Sequence, residues 1–225
     1  MIINKYNVKL TRLTKEDIEL VREKRNSEAI REKMVYQGQV TSEQQEEWFK
    51  SIDNIHNIYF LIHFEGRKIG VINGKNADFE SRTSEGGIFI WDENYLNSIV
   101  PSLCAIIMHD YNFHVCEFKQ TFIKVLRNNT SAINFNKLIG YKTDKDNPLK
   151  PYLECSIHRN YYYEKITKYR KIIGKMYDDY EPLNKENVSF KGVFDDNVKR
   201  YYGELPQYLI EKINTVLIRE NRKTL

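Results

Sequence analysis

The sequence predicts an α/β or α+β domain on a mixed sheet, and three observations carry that expectation. Strand-like runs at residues 57–64, 67–73 and 87–91 follow one another closely, the first two joined by the turn dipeptide Glu65-Gly66. From there to residue 157, helical-period and strand-like stretches alternate. The 225 residues, 41% hydrophobic and 13% aromatic, are enough to fill a sizeable core.

Residues 8–13, Val-Lys-Leu-Thr-Arg-Leu, alternate apolar and polar side chains as a half-buried strand does. Thr14 with Asp17 three residues on reads as the N-cap of an amphipathic helix through Ile18, Leu20 and Val21. Thr41 starts a second helix that would bury Trp48, Phe49 and Ile52. The hairpin and the run Gly87-Ile-Phe-Ile-Trp91 form a meander. Residues 99–113 then suit a buried helix, 118–126 a strand, 130–138 a helix and 152–157 a last strand. Beyond residue 160, Tyr161-Tyr-Tyr163 leads a helical stretch to about Met176, a loop follows around Pro182, and residues 209–218 are helical again.

Composition narrows the class. With 29% charged residues and only ten Gly and five Pro, the chain is neither disordered nor collagen-like. No apolar run approaches the roughly 18–20 residues of a membrane span, and the polar start lacks a signal-peptide core, so a soluble cytoplasmic protein without membrane contact is expected. The net charge of +4 is spread over interspersed signs, which argues against nucleic acid as a partner. Cys104, Cys116 and Cys155 are odd in number and form no Cys-x-x-Cys pair, so neither a disulfide framework nor a metal site is expected.

Three strings in this order then carry a resemblance. The first is Arg25-Asn26 with Met34, Tyr36-Gln37-Gly38, Thr41 and Trp48; the second is Glu85-Gly-Gly-Ile-Phe-Ile-Trp-Asp-Glu93; the third is Asn129-Thr-Ser-Ala132-Ile133 with Lys137 and Gly140-Tyr141. Over roughly residues 8–157 the chain resembles the GNAT acyltransferase superfamily, in the branch of ribosomal-protein N-terminal and bacterial amino-sugar acetyltransferases. The resemblance implies a mixed, mostly antiparallel sheet flanked by helices over residues 1–160. Residues 161–225 would be a mainly helical extension, packed on this domain or on a second subunit as in a homodimer.

It also implies a function: transfer of an acyl group, most simply acetyl from acetyl-CoA, to a primary amine of a small molecule, with a nucleotide-linked amino sugar as the leading acceptor. No metal is implied. Glu85 would be the general base. An amine of lysine-like pKa is neutral only about one part in a thousand near pH 7.4, so deprotonation costs about 4 kcal/mol. The backbone of Phe89 and Ile90 would hold the pantetheine arm, and Leu96, Asn97, Ser98 and Val100 the pyrophosphate at a helix start. Asn129 would bond the pantetheine arm or cap its own helix, and the two readings stay open. The acceptor would lie between loops 26–40 and 142–151, polar and mobile by composition.

Departures from the family pattern matter. Its basic-or-Gln, Gly and Gly-or-Ala positions at the long helix are here Tyr95, Ser98 and Val100, and Pro101 removes one N–H donor. Asn136 stands where many members have a proton-donating tyrosine, and a carboxamide is far too weak an acid. Tyr141 lies too far along to inherit that role by motif. A GNAT-like binding or assembly module that no longer catalyses transfer is therefore the alternative. His109 and His114, five apart, sit on different helix faces and make no metal pair. Cys104, Cys116, Trp48 and Tyr161–Tyr163 read most simply as packing residues.

Overall fold

The computed structural model describes residues 1–144, 146–184, 186–189 and 201–216. Nine strands form one sheet in the order β7-β8-β6-β5-β4-β3-β2-β1-β9. They are β1 Ile2–Lys5, β2 Val8–Arg12, β3 Ile58–Phe64, β4 Arg67–Asp78, β5 Thr83–Ile90, β6 Gln120–Leu126, β7 Lys142–Thr143, β8 Tyr152–His158 and β9 Val188–Ser189. Every adjacent pair is antiparallel except β5 with β6. The mixed, mostly antiparallel GNAT-like sheet is thus present, with three short strands beyond the six expected: β1, β9 and, within the expected 142–151 loop, β7.

Both predicted helix starts hold for the expected chemical reason. The Asp17 carboxylate accepts from the Thr14 N–H and hydroxyl ahead of a 3-10 turn and α1, Ile18–Asn26. Thr41 Oγ1 accepts from Gln44 N, and Gln44 Oε1 from Thr41 N, at the start of α3, Ser42–Ile52. The short helix α2, Glu28–Arg31, lies between them. Helices α1 and α3 cover one face through Ile18, Val21, Trp48, Phe49 and Ile52, packed with Leu61 and Val71.

The opposite face carries α5, Val100–Asp110, prolonged by one wider π turn to Val115; α6, Thr130–Ile139; and α7, Arg159–Tyr177. The short α4, Glu93–Leu96, precedes α5. Nearly all of α5 is buried, as its unbroken apolar run demands. Tyr162, Ile166 and Ile173 of α7, with Leu183 and with Leu209 and Ile213 of a last helix, Gln207–Val216, enter the same core. Two details of the extension differ from expectation: α7 starts two residues before Tyr161, and Val188–Ser189 pairs as a strand with β1. Leu217 and Ile218, the predicted end of the last helix, lie outside the described residues.

Candidate active site

The one parallel pair sets the site. β5 and β6 are hydrogen-bonded only from Thr83–Gln120 to Glu85–Phe122. Beyond that rung β5 runs on to Ile90 and β6 to Leu126 without pairing, so the sheet is open along its middle. Because the strands are parallel, α5 and α6 both begin at the open end of this wedge. Gly86 is the first β5 residue past the last rung. A Cβ there would meet Ile123 at 3.7 Å and the Phe122 carbonyl and Tyr141 hydroxyl at 3.8 Å, so the glycine keeps the throat free of a side chain.

Cross-strand register puts Glu85, Lys75 and Phe122 on the α1–α3 face, since directly opposed residues share a side. Lys124, two residues past Phe122, joins them. Glu85 Oε1 is 3.0 Å from Lys75 Nζ, and Oε2 is 3.3 Å from Lys124 Nζ and 3.5 Å from Asn76 Nδ2. Burial pushes the Glu85 carboxyl up, but hydrogen bonds and charge from Lys75 and Lys124 outweigh it and leave its pKa below the ordinary value. Tyr59 is pushed up to about 12, by burial first and the Glu85 charge second. Glu85 is therefore an ionised acceptor ringed by donors.

The other face of the throat holds a buried chain of polar groups. His109 Nδ1 is 2.6 Å from the Ala105 carbonyl, which can only accept, so this nitrogen carries the ring proton. Burial lowers the His109 pKa, and the neutral ring therefore accepts at Nε2 from the Tyr141 hydroxyl, 3.0 Å away. With its proton so placed, Tyr141 accepts from Thr121 Oγ1 at 3.0 Å. Burial holds the phenol protonated, raising its pKa. Gly140, at φ 117°, ends α6 and turns the chain so that Tyr141 reaches this place. The motif spacing gave no sign of it; only tertiary packing brings residue 141 to the throat.

Phe89 and Ile90 lie on the stretch of β5 that pairs with β4 but not with β6. In the loop before α5, Leu96, Asn97 and Ser98 are exposed and Val100 is buried. The described positive-φ residues are Tyr6, Asn7, Glu65, Gly66, Asn76, Arg82, Glu117, Gly140 and Asp178, so this loop follows a path that asks for no glycine. Two of its donors are nonetheless engaged. Ser98 N donates to the Tyr95 carbonyl at 3.1 Å, and Val100 N to Ser98 Oγ at 3.1 Å. An anion reaching Val100 N–H must displace the serine hydroxyl.

Asn129 caps α6, its Oδ1 accepting from Ala132 N at 3.1 Å, and Asn136 Nδ2 donates to the Ala132 carbonyl at 2.8 Å. Asn136 also lines a narrow crevice with Val125, Ile133 and Tyr141. The flanking loops are pinned more firmly than their composition suggested. Arg25 donates to the Gly38 and Tyr36 carbonyls, and Asn26 exchanges two hydrogen bonds with the backbone of Val40. Arg127 holds the carbonyls of Asn147 and Lys150 and the Asp146 carboxylate. Cys104 and Cys116 are buried, the latter thiol pushed up to about 12 by that burial, and Trp48 packs edge-on against Tyr59. Among the described residues no three His, Cys, Asp or Glu side chains gather where they could hold a metal, and no helix is long and apolar enough to cross a membrane.

Comparison with known proteins bears on the fold and the family. A family model described as an acetyltransferase (GNAT) domain matches residues 10–148. No curated protein matches by sequence. Among solved structures, a Vibrio cholerae spermidine N-acetyltransferase in complex with CoA and spermine superposes with a TM-score of 0.62 at 16% identity, over 71% of this chain and 99% of that one. A domain from Methanocaldococcus jannaschii gives 0.60 at 17% identity, over 67% and 97%. A dodecameric form of the Vibrio enzyme gives 0.56 at 16% identity, over 70% and 97%. At these identities the likeness is one of fold.

Proposed function

Because the chain belongs to the acetyltransferase (GNAT) domain family, we propose that it carries acetyl from acetyl-CoA to the primary amine of a small molecule. The observation that carries the reading is the wedge between β5 and β6, where neither strand pairs with the other beyond Glu85–Phe122 and Gly86 adds no side chain. The thioester arm would lie along Gly86–Ile90 and use the hydrogen-bonding groups that β6 leaves unused. The amine would attack from the Glu85 side. Its nitrogen forms a bond to the acetyl carbon, the carbon–sulfur bond breaks, and the thiolate of coenzyme A leaves.

Two protons need places. Lys75 and Lys124 lower the pKa of an amine brought beside them, as like charges do, and Glu85 accepts the hydrogen that remains. On the opposite side, the Tyr141 hydroxyl stands at the throat where Asn136 offers no acid; by turning its hydrogen from His109 Nε2 it would donate a hydrogen bond to the leaving thiolate, which takes its proton from water. The acceptor we favour is a nucleotide-linked amino sugar, on the resemblance of the Arg25-Asn26 and Glu85–Glu93 strings to the amino-sugar branch.

A second reading, a non-catalytic binding module, is favoured by the engaged donors at Ser98 and Val100. One experiment separates them. At 100 times its dissociation constant, acetyl-CoA should add about 2.7 kcal/mol of stability. Gly86→Val should abolish that shift while leaving the unliganded midpoint within a few degrees. No shift with the wild-type chain at millimolar acetyl-CoA would overturn the transferase reading.

A further inference from the structure

We infer that the acceptor carries an anionic oxygen group, a phosphate or a carboxylate, close to its amine, and that Lys75 and Lys124 bind it; this rests on the transferase reading above. The Glu85 carboxylate is shared by two ammonium groups, at 3.0 and 3.3 Å, so the three side chains together carry one positive charge. The lysines are also the outer members. Their side chains are 36% and 39% exposed, against 15% for Glu85, so an arriving molecule meets ammonium before carboxylate. The remaining groups around them keep the sign. Lys124 and Lys150 flank the Tyr152 ring at 5.8 and 5.6 Å, Lys150 pairs with Glu154 at 2.8 Å, and Asn76 adds only a neutral donor.

A polycation finds this arrangement unfavourable, because each ammonium it brings to Glu85 must displace a lysine and sit beside the other. A molecule that brings a neutral amine with a monoanion, or a protonated amine with a dianionic phosphate, leaves every charge paired. Its amine takes the place of a lysine on Glu85, and the freed lysines close on its oxygens. The same exchange leaves the amine next to positive charge, which favours the neutral, nucleophilic form. The two lysines would thus choose the acceptor as well as activate it.

Matched acceptors test this, with thiol release read at fixed acetyl-CoA. O-phosphoethanolamine is compared with ethanolamine, β-alanine with propylamine, and spermidine stands as the polycation. The inference expects kcat/KM at least 10-fold higher for the anionic member of one pair, mostly through KM, and spermidine below both. In Lys75→Gln and Lys124→Gln, each checked for folding by its acetyl-CoA thermal shift, that ratio should fall toward one. A wild-type ratio of one or less, a preference for spermidine, an unchanged ratio in both variants, or no turnover of any of the five amines overturns the inference. A wild-type chain that shows no acetyl-CoA shift at all overturns the transferase reading and the inference with it.

Discussion

Arg170 reaches from α7 to within 2.6 Å of Asp110, the last residue of α5, and the Asp110 side chain is wholly out of water. The same carboxylate accepts from Tyr162 Oη and from Leu183 N, both at 3.1 Å, while Arg170 also donates to the Glu181 carbonyl. One buried charge therefore joins the central helix to the segment that follows the sheet.

Removing that charge should be severe. Asp110→Ala leaves Arg170 without its counter-charge and Leu183 N without an acceptor, and uncompensated buried charge costs about 3–5 kcal/mol. Urea unfolding should show the midpoint falling accordingly. The double change Asp110→Ala with Arg170→Met should recover part of the loss. A single variant within about 1 kcal/mol of wild type would show the pair to be dispensable.

His109 should make stability fall in mild acid. Its folded pKa is lowered below 6.5, burial being the main cause, so the folded state resists a proton that the unfolded state takes up. Above pH 6.5 neither state is charged and nothing is lost; below it stability declines until the folded pKa is reached, at up to about 1.4 kcal/mol per pH unit. His63 and His114 are shifted in the same direction, also chiefly by burial. The decisive measurement is therefore the difference in slope between wild type and His109→Gln from pH 6.5 to 5. Equal slopes would contradict it.

Local chemistry was readable where it acts through neighbouring residues. The caps at Thr14 and Thr41 and the Glu65-Gly66 turn, whose two residues have φ of 47° and 77°, were visible because donor, acceptor and glycine lie within four positions. Strand β1 was not visible. Its Lys5 is buried only because Asp179 meets it from far along the chain, and its turn residues Tyr6 and Asn7 take positive φ without glycine. The same limit applies at the site: the Glu85–Glu93 string singles out Glu85 as a candidate, but Lys75 and Lys124 become its partners only through strand register. The loops looked mobile because composition does not show that Arg25, Asn26 and Arg127 tie down their carbonyls.

The loop before α5 should bind coenzyme A better once Ser98 is altered. The Val100 N–H is free to meet a phosphate only when the Ser98 hydroxyl lets go of it, and no residue from 93 to 100 has a positive φ that a glycine would relieve. Ser98→Gly should tighten acetyl-CoA severalfold by isothermal titration. Weaker binding would mean the phosphates are held elsewhere.

Glu85→Gln should cut turnover by about 100-fold at pH 7 while acetyl-CoA affinity holds. Since the Glu85 pKa is lowered, the carboxylate stays ionised down through its ordinary value of 4.5 and is protonated only below it. The acidic limb of kcat/KM near neutrality then belongs to the acceptor amine and should keep its position in the variant. A limb that disappears with Glu85 would assign the titration to the carboxylate.

The segment after residue 160 should prove inseparable from the domain. Tyr162 and Leu183 have no exposed surface, and Ile166, Ile173, Leu209 and Ile213 are nearly as buried in the core that contains α5. Fully burying one such side chain is worth about 1.5–3 kcal/mol, so cutting the chain at 160 removes burial worth roughly 9–18 kcal/mol, as large as the 5–15 kcal/mol by which a domain is usually stable. It also strips partners from Asp110 and Lys5, both buried charges. Deletion of residues 161–225 should therefore give insoluble protein. The outer side of α7 keeps Ile172 and Met176 exposed at a spacing of four. Light scattering on the intact chain and on Ile172→Lys would show whether a second copy covers them: an equal mass for both would leave the extension as part of one domain, and a halved mass in the variant would make it a dimer contact as well. A chain ending at residue 160 that stays folded, with the same acetyl-CoA affinity, would show the extension to be dispensable.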